Sequence, residues 1–227
     1  RIAWRHFDDG VRAAPREATA AILLLGMAST GAWLPTMQPD DVSYHLGLPW
    51  QLQQTARYAM DPGLQVWALA PWAGDVLQGS AQVLADAEAR GAMNLLWLAT
   101  AAAAVFATTR TLGGDHARCW WAVALLGSLP MSMNLTGGMQ TELPAMALLP
   151  TLSWLVLAGR ADAAQPRGML AGAVLFGALC GLKTMHALVG LPVLVWAAWR
   201  YRASLPWKWL PLALAATCVI GGSSYVY

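Results

Sequence analysis

Charge is what this 227-residue sequence has least of. Lys, Arg, Asp and Glu together make up 11% of it, whereas 57% of the residues are hydrophobic. A soluble globular domain usually carries about 25% charged residues, most of them on its surface. The chain therefore lacks the charge that an ordinary water-exposed surface needs, and the composition favours a protein embedded in a membrane.

Two further shortages exclude other classes of protein. The net charge is only +2 and the basic residues are scattered between apolar segments, which excludes a nucleic-acid-binding protein. There are only three cysteines and no Cys-x-x-Cys spacing, so neither a disulfide framework nor a zinc site is indicated. The three thiols, which we interpret as small core residues, are Cys119, Cys180 and Cys218.

Long uncharged stretches are abundant by contrast. A membrane-crossing helix needs about 20 apolar residues. We therefore expect an all-α fold, a polytopic transmembrane helix bundle with about seven spans. Two neighbouring uncharged stretches, residues 168–182 and 184–199, are short, so we expect them to form a helical hairpin that turns near residues 181–184. The seven uncharged intervals are 18–39, 91–109, 119–141, 143–159, 168–182, 184–199 and 209–227.

The distribution of Lys and Arg predicts the orientation. When alternate loops are compared, eleven basic residues fall on one side and three, Arg57, Arg90 and Lys183, on the other. Positive residues accumulate on the cytoplasmic side of membrane proteins. We therefore expect a cytoplasmic N-terminus and an acidic outer side.

One loop, residues 36–90, is long, and long loops on a compact scaffold are usually functional. Two amphipathic helices, Leu46–Tyr58 and Val76–Ala89, are expected to lie along the membrane interface within it. Residues 1–227, including this loop, are expected to form a single transmembrane domain. Because the chain starts with Arg1 and ends inside an apolar run, we expect it to be a fragment of a longer protein.

The adjacent carboxylates Asp40 and Asp41 lie just outside the first expected span. At a membrane boundary they repel each other and are partly desolvated, so one of them is expected to have a raised pKa or to hold a cation. A solvated Asp pair that opens and caps a helix is the alternative. Tyr44 and His45 follow, and His45 is either a ligand or proton carrier or a structural residue.

Two later positions add to the candidate chemistry. Glu142 begins the fourth span, either as a second acidic group facing Asp40 and Asp41 or as a carboxylate favoured by the helix dipole. Lys183 lies between two apolar stretches, where an unpaired ammonium costs a few kcal/mol. It either binds an anionic lipid or lipid-linked phosphate, with His186 as a second donor, or snorkels at a helix end.

Several short motifs resemble those of one family. The stretch from Gln38 to Trp50 resembles the first outer loop of bacterial C-type membrane glycosyltransferases, relatives of the protein mannosyltransferases and aminoarabinose transferases that use polyprenyl-phosphate sugars. Residues 67–75, 142–144 and 172–183 follow in the order such proteins show.

The resemblance implies an enzyme of the bacterial inner membrane. It implies an inverting transfer of a sugar from a polyprenyl-phosphate donor, with Asp40 or Asp41 as general base on an acceptor hydroxyl. Glu142 matches a second acidic site, Lys183 a basic group near the donor phosphate, and a divalent cation at Asp41 and Glu142 is a possible cofactor. The alternative is a non-catalytic membrane subunit that keeps the helix bundle and packs against other membrane subunits.

Overall fold

The structure, a computed structural model, describes residues 2–36, 38–57, 73–159 and 165–225. In this part of the chain every regular element is a helix, which confirms the all-α prediction. The α-helices in chain order are α1 (Ile2–Ala13), α2 (Pro15–Ser29), α3 (Gly47–Thr55), α4 (Ala73–Ala85), α5 (Arg90–Thr111), α6 (His116–Ser128), α7 (Pro130–Thr136), α8 (Glu142–Ala158), α9 (Pro166–Leu182), α10 (Thr184–Tyr201) and α11 (Leu210–Gly222).

Proline explains several helix boundaries. Proline occupies a first-turn position of α2, α7, α9 and α11, where its missing N–H leaves no helical hydrogen bond unmade. Pro130 also forces Leu129 into an extended conformation, with ψ of 125°. The uncharged interval 119–141 is therefore two helices, α6 and α7, rather than one.

The helical hairpin predicted near residues 181–184 is confirmed. Lys183 is extended, with φ of −170° and ψ of 140°, and separates α9 from α10. The chain then reverses, because Gly190 of α10 lies against Phe176 and Leu179 of α9.

Helices also form inside the long loop. Helix α3 lies within the expected range 46–58, of which Tyr58 lies outside the described residues. Helix α4 begins at Ala73 rather than at Val76, which places Asp75 in its first turn.

The most extensive helix interfaces join α9 to α11, α5 to α8 and α2 to α6. In each pair, residues later in one helix contact residues later in its partner, so the two helices run parallel. In α9 and α11, for example, Thr217 bonds to Ala173 and Gly221 lies against Cys180. Parallel partners cannot be consecutive in an up-and-down bundle, so each pair joins helices that are separated in sequence.

Segments that are distant in sequence meet at one end of the bundle. Arg90 donates to the carbonyl oxygens of Leu34 and Gly137, while Gly74 lies against Thr141 and Leu182. We call this region, formed by residues 34–36, 38–45, 73–75, 88–94, 136–142 and 182–186, the loop end. It unites the segments that the sequence placed on the outer side.

Within the described ranges one helix, α5, is long and apolar enough to cross a membrane. Only 28% of its most apolar 18-residue window is buried, whereas the core helix of a soluble protein is mostly buried. The segments Glu142–Ala158, Pro166–Leu182 and Trp207–Gly222 are apolar but shorter. Length and composition thus identify one clear candidate span where the sequence predicts seven.

Candidate functional site

The structure places Asp40 and Asp41 in different environments. Asp41 opens a widened helical turn, Asp41–His45, in which the Leu46 N–H bonds to the Asp41 carbonyl oxygen at 3.0 Å. Turns of this π type are frequent at functional sites. Asp41 is fully buried, Asp40 is exposed, and the Asp40 side chain makes no capping hydrogen bond. The alternative of a solvated, helix-capping pair is therefore wrong for Asp41.

Asp41 anchors the turn across the bundle. Its Oδ2 accepts hydrogen bonds from Thr36 Oγ1 at 2.5 Å and from the Met139 N–H at 2.9 Å. Its Oδ1 is buried and has no hydrogen-bond partner among the described residues. A buried carboxylate oxygen without a donor is costly, so this atom is an acceptor still open to a donor group.

His45 pairs with Asp75, which the sequence did not single out as a site residue. His45 Nδ1 lies 2.8 Å from Asp75 Oδ1, and the side chains are 13% and 11% exposed. Burial lowers the pKa of His45, but the hydrogen bond and charge of Asp75 outweigh it and hold that pKa above 6.5. Burial raises the pKa of Asp75 against the opposing effect of His45. The pair was missed because α4 was expected to start after Asp75.

Tyr44 extends this cluster towards solvent. Its ring centroid lies 4.2 Å from that of His45, and its hydroxyl hydrogen-bonds to Asp40. Burial, together with the negative charge of Asp40, raises the pKa of Tyr44 to about 12. The phenol is therefore a neutral hydrogen-bond donor beside an exposed carboxylate at physiological pH.

Glu142 and Lys183 pair with each other. Lys183 Nζ donates to Glu142 Oε1 at 2.8 Å, and the side chains are 50% and 40% exposed. His186 Nε2 lies 3.1 Å from Thr141 Oγ1 in the adjacent turn. The anionic partner of Lys183 in the structure is thus a protein carboxylate, in the position expected for a lipid phosphate.

The segment 139–142 connects these groups. Asp41 is bonded to the Met139 N–H, and Glu142 lies three residues further along the chain. Asp40, Asp41 and Glu142 therefore lie at the same end of the bundle. Among the described residues no hydrogen bond or ion pair joins Asp41 to Glu142. Glu142 instead accepts a hydrogen bond from Lys183.

Two buried polar residues of α5 hold this segment in place. Arg90 is 4% exposed and donates to Gly137 O at 2.9 Å and to Leu34 O at 2.5 Å. Asn94 donates to Thr136 O at 2.9 Å and to Gly138 O at 2.5 Å. In the sequence, Arg90 contributed only to the count of basic residues that predicts the orientation. The signal it missed is a pair of polar side chains four residues apart, on one face at the start of an apolar helix.

The described residues contain no group of three or more His, Cys, Asp or Glu side chains placed to hold a metal ion. A divalent cation at Asp41 and Glu142 thus remains a prediction from the sequence.

No protein-family model, curated protein or solved structure matches the chain.

Proposed function

We propose that this chain is the membrane domain of a glycosyltransferase that moves a sugar from a polyprenyl-phosphate donor to an acceptor hydroxyl on the outer side of the bacterial inner membrane. The observation that carries the proposal is the arrangement of the Asp40–Asp41 pair. One carboxylate is exposed beside a phenol donor, and the other is buried and anchored to Met139. A carboxylate that acts as a general base must be accessible to the acceptor hydroxyl and must be held in a fixed position by its neighbours.

The proposed reaction is a single inverting displacement. Asp40 takes the proton of the acceptor hydroxyl as its oxygen attacks the anomeric carbon of the sugar. The bond from that carbon to the phosphate oxygen breaks, and its electron pair leaves with the polyprenyl phosphate. Asp41 has a positioning role. It accepts a hydrogen bond from the Met139 N–H and so holds in place the turn that carries Asp40.

The membrane part of the proposal is a bundle of seven spans. Helix α2 with the turn Thr30–Trp33, α6 with α7, and each of α5, α8, α9, α10 and α11 would cross the bilayer. Large apolar side chains on these helices are exposed, such as Leu23 (63%), Leu125 (68%) and Val219 (70%). Contact with water at so many apolar positions is unfavourable, so lipid is the medium that suits this surface.

The test is turnover by the purified protein in liposomes that contain a polyprenyl-phosphate sugar, measured as release of polyprenyl phosphate. We expect Asp40→Asn to lower kcat by about 10²–10⁴, the usual contribution of a general base. Ser43→Ala is the matched control, because Ser43 is exposed on the same turn. Wild-type turnover by Asp40→Asn, at unchanged thermal stability, would contradict the assignment.

A non-catalytic membrane subunit is the second candidate. The Lys183–Glu142 ion pair favours it. Lys183 was expected to bind the donor phosphate and Glu142 to form the second acidic site, but in the ion pair each neutralises the charge of the other. This alternative predicts that the wild-type protein releases no polyprenyl phosphate in the same assay. It also predicts that cross-linking in native membranes joins the chain to other membrane proteins.

A further inference from the structure

One ion pair at the loop end is open to its surroundings. Lys183 Nζ donates to Glu142 Oε1 at 2.8 Å, while 50% of the Lys183 side chain and 40% of the Glu142 side chain remain exposed. Exposed ion pairs contribute little to stability, because water and salt compete for both charges. A stronger anion can therefore reach Lys183 and replace the carboxylate at small cost.

Contacts other than the ion pair hold the backbone of Lys183 in place. The His186 N–H bonds to the Lys183 carbonyl oxygen at 3.0 Å, and His186 Nε2 lies 3.1 Å from Thr141 Oγ1. Gly74 of α4 also lies against Thr141. The starts of α4, α8 and α10 therefore stay together without the Glu142 carboxylate, and the ammonium of Lys183 remains in the same region when that carboxylate moves away.

The surroundings of the pair favour an anion with more than one negative charge. Glu142 is the first residue of α8 and Lys183 directly precedes α10, so the positive ends of two helix dipoles lie beside the pair. The single charge of Glu142 is balanced by the ammonium alone. Asp75, which follows Gly74 in α4, is bonded to His45 instead. A phosphate monoester, with nearly two negative charges at pH 7, suits this position better than one carboxylate.

We propose that Glu142 is an internal competitor for Lys183 and that a phosphate monoester displaces it. The carboxylate neutralises the cation before the phosphate binds and again after it leaves. The identity of the monoester rests on the proposed sugar transfer, because polyprenyl phosphate is the product of that reaction. The donor is a diester with one charge, so the product binds Lys183 more tightly than the donor does. Glu142 then promotes product release instead of forming a second acidic site.

Binding of polyprenyl phosphate to the purified full chain tests the competition, with the dissociation constant measured by native mass spectrometry. Glu142→Gln is expected to tighten binding about 5-fold, which corresponds to about 1 kcal/mol for an exposed ion pair. Lys183→Gln is expected to weaken binding about tenfold, because a charge-assisted hydrogen bond is lost. In the Lys183→Gln background, Glu142→Gln is expected to have no effect, since no cation is left to release.

The matched control is Glu88→Gln, which removes the carboxylate of another ion pair at the loop end, the pair with Arg90. This control is expected to bind polyprenyl phosphate as the wild type does. Equal tightening by Glu88→Gln would mean that only the general charge of the loop end matters, and would overturn the proposal. Unchanged or weaker binding by Glu142→Gln, at wild-type thermal stability, would overturn it too. If Glu142→Gln does not fold, Glu142→Asp, which shortens the side chain, is expected to tighten binding to a smaller extent.

Competition experiments identify the group that the site recognises. Excess inorganic phosphate is expected to weaken binding of polyprenyl phosphate, whereas phosphatidylglycerol, a diester with one charge, is expected to compete poorly. Competition by phosphatidylglycerol but not by inorganic phosphate would assign the site to a membrane lipid and overturn the proposal. Turnover in liposomes is measured separately. The expected binding pattern without sugar transfer would refute the proposed activity alone, and sugar transfer without the pattern would refute the competition alone.

Discussion

At the scale of single residues, the loop end depends on polar side chains that are buried with their partners. Asp41, Arg90 and Asn94 each bond to backbone groups of the segment 136–139. Removal of one partner of a buried hydrogen bond typically costs about 1–3 kcal/mol, because the group left behind is desolvated. The position of the candidate site is therefore set by polar contacts, in a chain whose other contacts are mainly apolar.

The His45–Asp75 pair predicts a pH dependence of stability. The folded-state pKa of His45 lies above 6.5, so protonation favours the folded state. The contribution of His45 is present below pH 6.5 and is lost as the pH rises through the folded-state value. We therefore expect the difference in melting temperature between wild type and His45→Gln to be larger at about pH 6 than at about pH 9.

Thermal melts of the purified protein at the two pH values provide the measurement. Ser43→Ala leaves the pair intact and is expected to show the wild-type pH dependence, whereas Asp75→Asn is expected to resemble His45→Gln. A difference between wild type and His45→Gln that grows with pH would contradict the ion pair.

At the scale of helices, glycine permits α9 and α11 to approach closely. A Cβ atom on Gly221 would lie 2.7 Å from Cys180 Cβ and 2.8 Å from the Gly177 carbonyl oxygen. Those distances are too short for any side chain, and one of the atoms belongs to the backbone and cannot move alone. Small residues at such crossings are typical of helix packing within membranes.

Gly221→Ala is therefore expected to destabilise the protein by about 1–3 kcal/mol through overpacking. The matched control is Gly222→Ala in the same helix, where a Cβ atom meets nothing within 4 Å. There alanine is expected to be neutral or to stabilise by up to about 1 kcal/mol, because it reduces the backbone entropy of the unfolded chain. Thermal melts of both variants decide the matter, and equal stability of the two would be evidence against the close crossing.

The pattern of uncharged intervals was sufficient to locate most helices. Interval 91–109 became α5, and the break at Lys183 became the turn between α9 and α10. The same pattern did not reveal the division at Pro130, since an apolar run with few charges looks continuous even where proline interrupts it. Nor did it reveal which helices are partners, because apolarity all around a helix leaves no face marked for contact.

The candidate site was predictable only in part, for a related reason. The sequence located the carboxylates at 40, 41 and 142 near one surface, from topology alone. It did not distinguish Asp40 from Asp41, since their difference in burial depends on the widened turn. Nor did it pair His45 with Asp75, which lies thirty positions further along the chain. Contacts between distant segments are set by packing, which a local pattern does not record.

At the scale of the whole molecule, the proposed topology predicts which positions face each side of the membrane. In a background without native cysteines, Ser43→Cys is expected to react with a membrane-impermeant maleimide added to intact cells. Leu112→Cys is expected to react only after permeabilisation, because basic residues on both sides of it indicate the cytoplasmic side. Both residues are exposed on the protein surface. Reaction of Leu112→Cys in intact cells would refute the orientation.

The parallel pairing of α2 with α6 affects how the protein is made. Helix α2 begins at Pro15 and α6 at His116, so about a hundred residues leave the ribosome between the two. At roughly 5–20 residues per second, α2 waits on the order of 5–20 s for its partner. Helices α5 and α9 wait in the same way for α8 and α11. Each early helix must therefore persist without its main partner during biogenesis, and a ribosome that stalls before residue 116 leaves the face of α2 that contacts α6 uncovered.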